Sequence, residues 1–376
     1  MSFINHSRNN RDKLFIIHHS LSMVNFLRKL NLWVVFFTLL SYAAPFISPA
    51  KVSLFLFFGL AFPWLLLANV VFILLWATSR MRFWWFSTFT LLVGWTHLTA
   101  VFGVNFWKNR EGPLKSENSL RVLTYNVADF CTPYHKDKMA AKQGMNAFFQ
   151  KENADIICVQ EGGLPNERPT DQIFSFFPAL ATYPYVSRIK GNEVFILSRF
   201  PIFNEGKSPD DKVGNGCTFS DIQMGNKKIR VFTFHLTSNK VSGMADQLVE
   251  TGTVTDDDFW LYIGRMLKRV RRTGIIRTRE SEYMAALIQQ SPYPVIVCGD
   301  FNDIPVSYAY HTIANGLADA FQEAAFGFSS TYNGNIPALK IDNILTSPTI
   351  EARHCTIHSS IRYSDHYPMT ADLLVN

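Results

Sequence analysis

Three apolar stretches stand in a row in the first third of the chain, at about 32–47, 52–78 and 83–106, and none contains an Asp, Glu, Lys or Arg. A membrane-spanning helix needs about 20 such residues. The second and third runs meet that length; the first is short and carries Pro45. Consecutive charge-free runs joined by tiny loops argue against buried core helices. The first run also begins too far along the chain for a cleaved signal peptide, and two more follow it. The pattern therefore predicts a transmembrane region over 32–107 with three spans, preceded by an N-terminal cytoplasmic segment, 1–31. Pro63 is expected to kink the second span, which membrane helices tolerate. Trp33, Trp64, Trp76, Trp84, Trp85 and Trp107 lie in or beside the spans, where interfacial aromatic belts form.

After the third run the pattern changes. A polar linker is expected at 108–119, and the remaining residues, 120–376, suffice for one α/β domain with a large core. LRVLTYNV (120–127) and DIICVQE (155–161) read as buried strands, and 137–153 has the period of a helix. Further strand-like runs lie at 193–198, 216–224, 228–236, 294–300 and 341–347, with a last one ending at Val375. Many strands mixed with helices suggest two packed sheets flanked by helices. From Asp256 to Gln290 the chain reads as helical with a break at Gly274, and Lys268–Arg279 holds six basic residues in twelve. That face suits solvent, or contact with an anionic lipid or polyphosphate.

Charge sharpens this division. The net charge of +6 is carried by residues 1–117, with 11 Lys and Arg against 3 Asp and Glu, whereas 118–376 hold 25 against 27. The basic balance is thus a statement about membrane topology. Arg8, Arg11, Lys13, Arg28 and Lys29 precede the first span, Arg80 and Arg82 lie in the second loop, and only Lys51 lies in the first. The positive-inside rule then puts the N-terminus inside a plasma or inner membrane and the C-terminal domain outside. Lys108, Arg110 and Lys115 count mildly against it. The five Cys, at 131, 158, 217, 298 and 355, show no CxxC spacing, which disfavours a zinc site. Cys158 and Cys298 fall inside strands as small buried hydrophobes, and one disulfide remains open.

Candidate chemistry sits where the apolar strands stop. Asn126 ends the first, Glu161 the second and His235 the strand VFTFH. Asp300 and Asn302 close VIVC in GDFND, Asp342 opens IDNIL, and Ser364, Asp365 and His366 precede the last strand. Six such endings point to one shared cleft at a sheet edge. Carboxylates, amides and imidazoles without a thiolate suit a hard cation: Mg²⁺, Mn²⁺ or Ca²⁺. Asp342 with His366 would fix an imidazole tautomer and favour its charged form. His311, His354 and His358 match no motif and read as structural or exposed; Thr331 and Tyr332 line the cleft or pack in the core.

TYNV, the strand ending in QE, the strand ending in His, GDFND, IDNIL and SDH occur in the order of the endonuclease/exonuclease/phosphatase superfamily, which residues 118–376 resemble. The resemblance implies a DNase I-like four-layered α/β sandwich and a Mg²⁺-dependent phosphodiesterase, with Mn²⁺ as a substitute. It places Asn126, Glu161 and Asp365 at the metal and implies catalytic roles for His235, Asp300, Asn302, Asp342 and His366. His235 and Asn302 would contact the scissile phosphate. Asp300 would align or deprotonate water. His366, oriented by Asp342, would stabilise the transition state or act as base. Asn343 replaces a Tyr common in the fifth motif, and Glu193 falls near where some members place a carboxylate behind the first catalytic His. Membrane attachment and a near-neutral catalytic part favour a lipid or lipid-linked phosphodiester. The alternatives are a membrane-tethered nuclease, an inactive membrane scaffold and a phosphomonoesterase.

Overall fold

Alternation along five strands builds the interior. In a strand, successive side chains face opposite ways, and here one parity is aliphatic until its last position. The strands are β2 (Ser119–Asn126), β3 (Ile156–Gln160), β8 (Lys227–His235), β9 (Val295–Asp300) and β12 (Asp342–Thr346). Leu120 and Val122, Ile156 and Cys158, Ile229 and Val231, Ile296 and Cys298, and Ile344 form one buried cluster between two sheets. The same parity ends in Thr124 and Asn126, Gln160, Thr233 and His235, Asp300, and Asp342. The core thus turns polar at a single edge.

The computed structural model describes residues 2–107, 118–130, 137–163, 174–187, 189, 192–209, 212–213, 215–239, 256–334 and 339–376, without the side chains of 2–21 and 256–259. One six-stranded sheet has the order β10-β12-β9-β8-β7-β6, the other β13-β14-β2-β3-β5-β4. The remaining strands are β4 (Tyr185–Ser187), β5 (Phe195–Ser198), β6 (Ile202–Lys207), β7 (Cys217–Met224), β10 (Ala318–Asp319), β13 (Ile350–Ile357) and β14 (Met369–Val375). The second sheet's outer face carries α5 (Lys138–Glu152) and the short α6 (Pro178–Ala181). Asp137 caps α5 by accepting from the N–H of Met139 and Ala140, and Ala141, Met145, Phe148 and Phe149 turn inward. The first sheet's outer face carries α7 (Asp256–Gln289) and α8 (Tyr308–Ala314), with α9 (Ala320–Ala324) nearby. Phe232, Phe234 and Val297 pack there on Met284, Ile288 and Tyr310. Helix, sheet, sheet, helix are the four expected layers. Cys158, Cys217, Cys298 and Cys355 are buried free thiols; Cys131 lies outside the described residues.

The apolar N-terminal region departs from expectation. The first run is the end of one long helix, α1 (Ser2–Ala43), which continues through residue 31. The stretches Ser22–Phe46 and Leu54–Thr78 (α2) are long and apolar enough to cross a membrane. The third run is not a continuous span. It folds as α3 (Trp84–Val93) and α4 (Trp95–Val101) about Gly94, then leaves as strand β1 (Phe102–Val104), which pairs with β11 (Phe326–Phe328). Tyr42 packs at this kink: its ring fills the space that a side chain at Gly94 would take. Residues 102–104 therefore belong with the catalytic layers, and the linker is outside the described residues up to 117.

Helices α1 to α3 form a bundle with polar ties. Asn31 donates to Ser87 and accepts from the Trp76 indole, and Asn69 donates to Thr38. One end of this bundle is fused to the catalytic layers. Phe62 and Val101 share a buried cluster with Ile304, Val306, Tyr332 and Ile341. Phe46 packs edge-on against His311 of α8 at 4.7 Å, which gives that histidine its structural place. Helix α7 runs unbroken through Gly274, because the missing side chain there admits Leu56 of α2; a Cβ would stand 2.6 Å from it. Gly59 likewise lets α2 approach the Val306 carbonyl. Gly59→Leu is therefore expected to lower the thermal midpoint of the full chain in detergent, at an overpacking cost of about 1–3 kcal/mol. Gly264→Ala, whose Cβ meets nothing within 4 Å, should leave the midpoint unchanged or slightly raised.

Candidate active site

Strand register assembles the site. In the first sheet His235 pairs with Asp300, and Asp300 pairs with Asp342, so three ionisable residues stand abreast at one edge. In the second sheet Asn126 pairs with Gln160. Gln160 donates to Thr233 Oγ1 across the gap at 2.8 Å and to Thr124 at 3.1 Å, tying the two sheets together one layer below the site. A one-residue slip in either sheet would turn these side chains away from the seam.

Glu161 lies one residue beyond β3 and would by alternation face the outer layer. Its backbone adopts φ 52°, and this left-handed turn brings the carboxylate back to the seam. Such a conformation costs a non-glycine residue roughly 1–3 kcal/mol and concentrates at functional sites. Ala128, Asp129 and Phe130 are also left-handed, and the Asp129 N–H donates to the Glu161 carbonyl at 2.7 Å. Phe130, buried against Phe177, holds that turn in place. Asn126 donates to Glu161 Oε1 at 3.0 Å and to Asp300 Oδ2 at 3.1 Å, while its own oxygen accepts from the Ala128 N–H. Its amide therefore bridges two carboxylates of the candidate metal site.

Asp342 Oδ2 lies 2.9 Å from His366 Nδ1, and His366 Nε2 lies 3.7 Å from Asp300 Oδ2. His235 Nε2 stands 3.5 Å from the same Asp300 oxygen and 3.6 Å from Glu161 Oε1. Asn302, left-handed at φ 48°, sends its N–H to Asp300 Oδ1 and its amide to the Leu236 carbonyl. Ser364 donates to the Asn126 carbonyl, which brings Asp365 and His366 to the second sheet. All eight residues singled out by sequence thus meet at one edge.

Burial dominates the electrostatics. It raises Asp300 to about 6, against the lowering effect of His366. It also raises Glu161 and lowers His235. Burial would lower His366 as well, but the Asp342 and Asp300 charges hold it well above its ordinary value.

Several further residues position the site, and of these Asn215 escaped sequence reading altogether. Thr331, buried, accepts from the N–H groups of Ile341 and Asp342 and fixes the start of β12. Tyr332 forms a β-bridge with His366 and sets its ring edge-on at 5.7 Å. Asn215 places its amide 3.3 Å from His235 Nε2. Glu193 does not hydrogen-bond His235, whose Nδ1 is buried without such a partner among the described residues. Arg277, one of the six basic residues, turns inward: it bonds Asp303, the Thr237 carbonyl and Asn239, and underpins the GDFND turn. Its spacing from Val270, Thr273 and Met284 on the buried face of α7 was the available signal.

Residues 123–366 match the family described as Endonuclease/Exonuclease/phosphatase. The chain belongs to this family. Its members are metal-dependent phosphoric ester hydrolases, and so is this enzyme. Residues 24–101 match a domain of unknown function. No curated protein matches the sequence significantly. Among solved structures, an endonuclease/exonuclease/phosphatase from Bacteroides vulgatus is 18% identical, covering 70% of this chain and 100% of that one, with a TM-score of 0.49. Humanized TDP2 of D. rerio is 14% identical over 69% and 99%, TM-score 0.49. A mannosyl-6-phosphatase from Bacteroides thetaiotaomicron is 16% identical over 68% and 99%, TM-score 0.47.

The donor set of this hydrolase fits a hard divalent ion. Glu161, His235 and Asp300 offer atoms within 4.8 Å of one another, as do Asp300, Asp342 and His366. Glu161 is the open one: its side chain is 37% exposed against 1% for Asp300. Asp342 Oδ1 is buried without a hydrogen-bond partner. Replacing Asp342 by Asn removes the charge that holds His366 protonated, so the His366 titration followed by NMR is expected to move down. An unmoved titration would assign the raised value to another group.

Proposed function

We propose that the enzyme is a membrane-anchored, Mg²⁺-dependent phosphodiesterase acting on a lipid or lipid-linked substrate. One observation carries this reading. The loops that hold the catalytic groups pack on the apolar helices, through Ile304, Val306, Tyr332 and Ile341 against Phe62 and Val101. A site built onto a membrane bundle meets lipid phosphodiesters at the highest local concentration. Exposed Lys268, Arg269 and Arg272 lie beside Arg271, which donates to Ser53 in the loop between α1 and α2, a level suited to anionic headgroups. That placement also weakens the nuclease alternative, since Arg277 of the same segment is spent on an internal ion pair.

In this reading Glu161 and Asp365 hold the ion, with Asn126 orienting Glu161. The ion, when bound, polarises the phosphoryl oxygens and stabilises the leaving oxygen. Asp300, ionised above a pH of about 6, takes a proton from the attacking water. His366, kept protonated by Asp342, donates to a non-bridging phosphoryl oxygen as its charge grows. His235 and the free N–H of Asn302 position the phosphate. The phosphorus–oxygen ester bond breaks, and the leaving oxygen recovers a proton from solvent.

The bundle supports one topology. Asn31, Trp76 and Ser87 are tied at one end, and Tyr42, Phe62 and His97 stack at the other. The start of α1 and the loop with Arg80 and Arg82 thus share one side, and the loop at 47–53 shares the other with the catalytic layers. By the positive-inside rule the catalytic part is extracytoplasmic, with the kinked α3–α4 pair as the third crossing.

The full chain in nanodiscs is expected to cleave choline or inositol phospholipids with Mg²⁺ and not with chelator, and His366→Ala to lose on the order of 10³-fold or more. Cleavage of double-stranded DNA with the lipids untouched would establish the nuclease instead. A second expectation concerns pH. Because Asp300 is raised from 3.8 to about 6, its contribution to metal-free stability is present at low pH and is lost as pH rises through about 6. Excess Mg²⁺ should therefore raise the thermal midpoint more at a pH of about 7.5 than at about 5. An equal shift at both would argue against an ion held among these carboxylates.

A further inference from the structure

Strands β1 and β11 make a two-stranded ribbon apart from both main sheets, with Phe102 opposite Phe328 and Val104 opposite Phe326. It is apolar and outward-facing: Phe328 and Trp107 are each 78% exposed, and Phe326, Val104 and Phe106 are also exposed. A short isolated ribbon is marginal in water, and an exposed aromatic patch of this kind marks an interaction surface.

The chain itself indicates what covers it. Phe102 follows Val101 directly, so the ribbon is a continuation of α4 where the bundle meets the catalytic layers. Trp64 and Trp95 are exposed at that end of the bundle, close in sequence to Phe62 and His97, which stack on Tyr42. Aromatic side chains prefer the headgroup layer of a bilayer, where an apolar body and a polar edge are both satisfied.

Behind the ribbon lies a cavity of about 640 Å³, walled by Val101, Phe326 and Phe328 on one side and by Tyr332, Asn333 and Tyr367 on the other. The polar wall belongs to the catalytic edge. The Tyr367 hydroxyl donates to Asn333 Oδ1 at 2.7 Å, the Asn333 N–H donates to the Asp365 carbonyl at 2.7 Å, and Tyr332 packs on His366. The cavity therefore runs from an aromatic wall to residues that adjoin Asp365 and His366 of the catalytic edge. Its volume falls within the range of small-molecule sites. It suits the glycerol and upper-chain part of a lipid, with the rest of the acyl chains left in the membrane.

We propose that the β1–β11 ribbon sits in the headgroup layer of the membrane that holds α1 and α2, and that the cavity behind it receives the glycerol and upper-chain part of a phospholipid, which enters sideways from the bilayer. This rests on the lipid reading above and adds the entry route to it.

Two measurements on the full chain in phospholipid nanodiscs separate the two claims. A nitroxide at position 328, introduced as Phe328→Cys on a Cys131→Ser background, is expected to be accessible to oxygen and shielded from an aqueous nickel chelate. A label open to the chelate overturns the proposal, whatever the substrate. The double variant Phe326→Ser/Phe328→Ser is expected to lower turnover of long-chain phosphatidylcholine or phosphatidylinositol about tenfold or more. Hydrolysis of soluble bis(p-nitrophenyl) phosphate should stay unchanged. Equal loss on both substrates, or on neither, overturns the entry route. Wild-type enzyme that cleaves the soluble ester and no lipid, with the label still shielded, overturns the lipid substrate and upholds the ribbon's seat in the membrane.

Discussion

The carboxamide of Asn126 joins the two halves of the site. One N–H reaches Glu161 at the end of the second sheet and the other reaches Asp300 at the end of the first, while its backbone carbonyl accepts from Ser364. Glu161, Asp300, Asp342 and Asp365 crowd a region from which water is largely excluded, and like charges there repel strongly. A neutral double donor is the group that can bridge two such acids without adding a charge of its own. Hydrogen bonds to ionised acceptors contribute about 1.5–3 kcal/mol each. The Gln160–Thr233 bond one layer deeper keeps the sheets at the separation that this bridge requires.

The same crowding divides the chemistry. Burial pushes Asp300 up while His366, flanked by Asp342 and Asp300, is held protonated. Two groups within 3.7 Å are thus driven toward a base and a charged donor. A cation near Glu161 relieves the remaining excess of negative charge. Strain at Glu161 and Asn302, both left-handed, is the backbone cost of aiming side chains that strand alternation alone would misdirect. The buried ion pair of Arg277 and Asp303 supports the second of these turns from below.

The apolar helices are part of this construction rather than a separate appendage. Gly59 and Gly274 remove side chains where α2 meets Val306 and α7, so helix and catalytic layers pack at backbone distance. Phe62 is fully buried in that seam and shares a cluster with Ile341, the residue before Asp342. A bundle this closely joined fixes the position of the catalytic edge relative to the apolar helices, and the aromatic ribbon leaves from the seam between them.

Much of this was legible in the sequence. Alternation gave the strands, and a polar residue ending each inward-facing series marked the edge where they meet, because a strand's last inward position is where the core gives way to solvent. The motifs at Asp300, Asn302, Asp365 and His366 were local and could be read in place. What tertiary structure decided were features set by residues far apart in the chain. The third apolar run looks like one straight span by composition, yet it kinks at Gly94, where Tyr42 packs, and a strand some 220 residues away, Phe326–Phe328, captures its end. Gly274 reads as a helix breaker, yet Leu56 makes it a contact. Arg277 reads as a surface charge, yet Asp303 draws it inside. Asn126 reads as the end of one strand, yet the meeting of two sheets makes it a bridge. Periodicity reports only which face of an element is apolar; which partner covers that face is settled by packing.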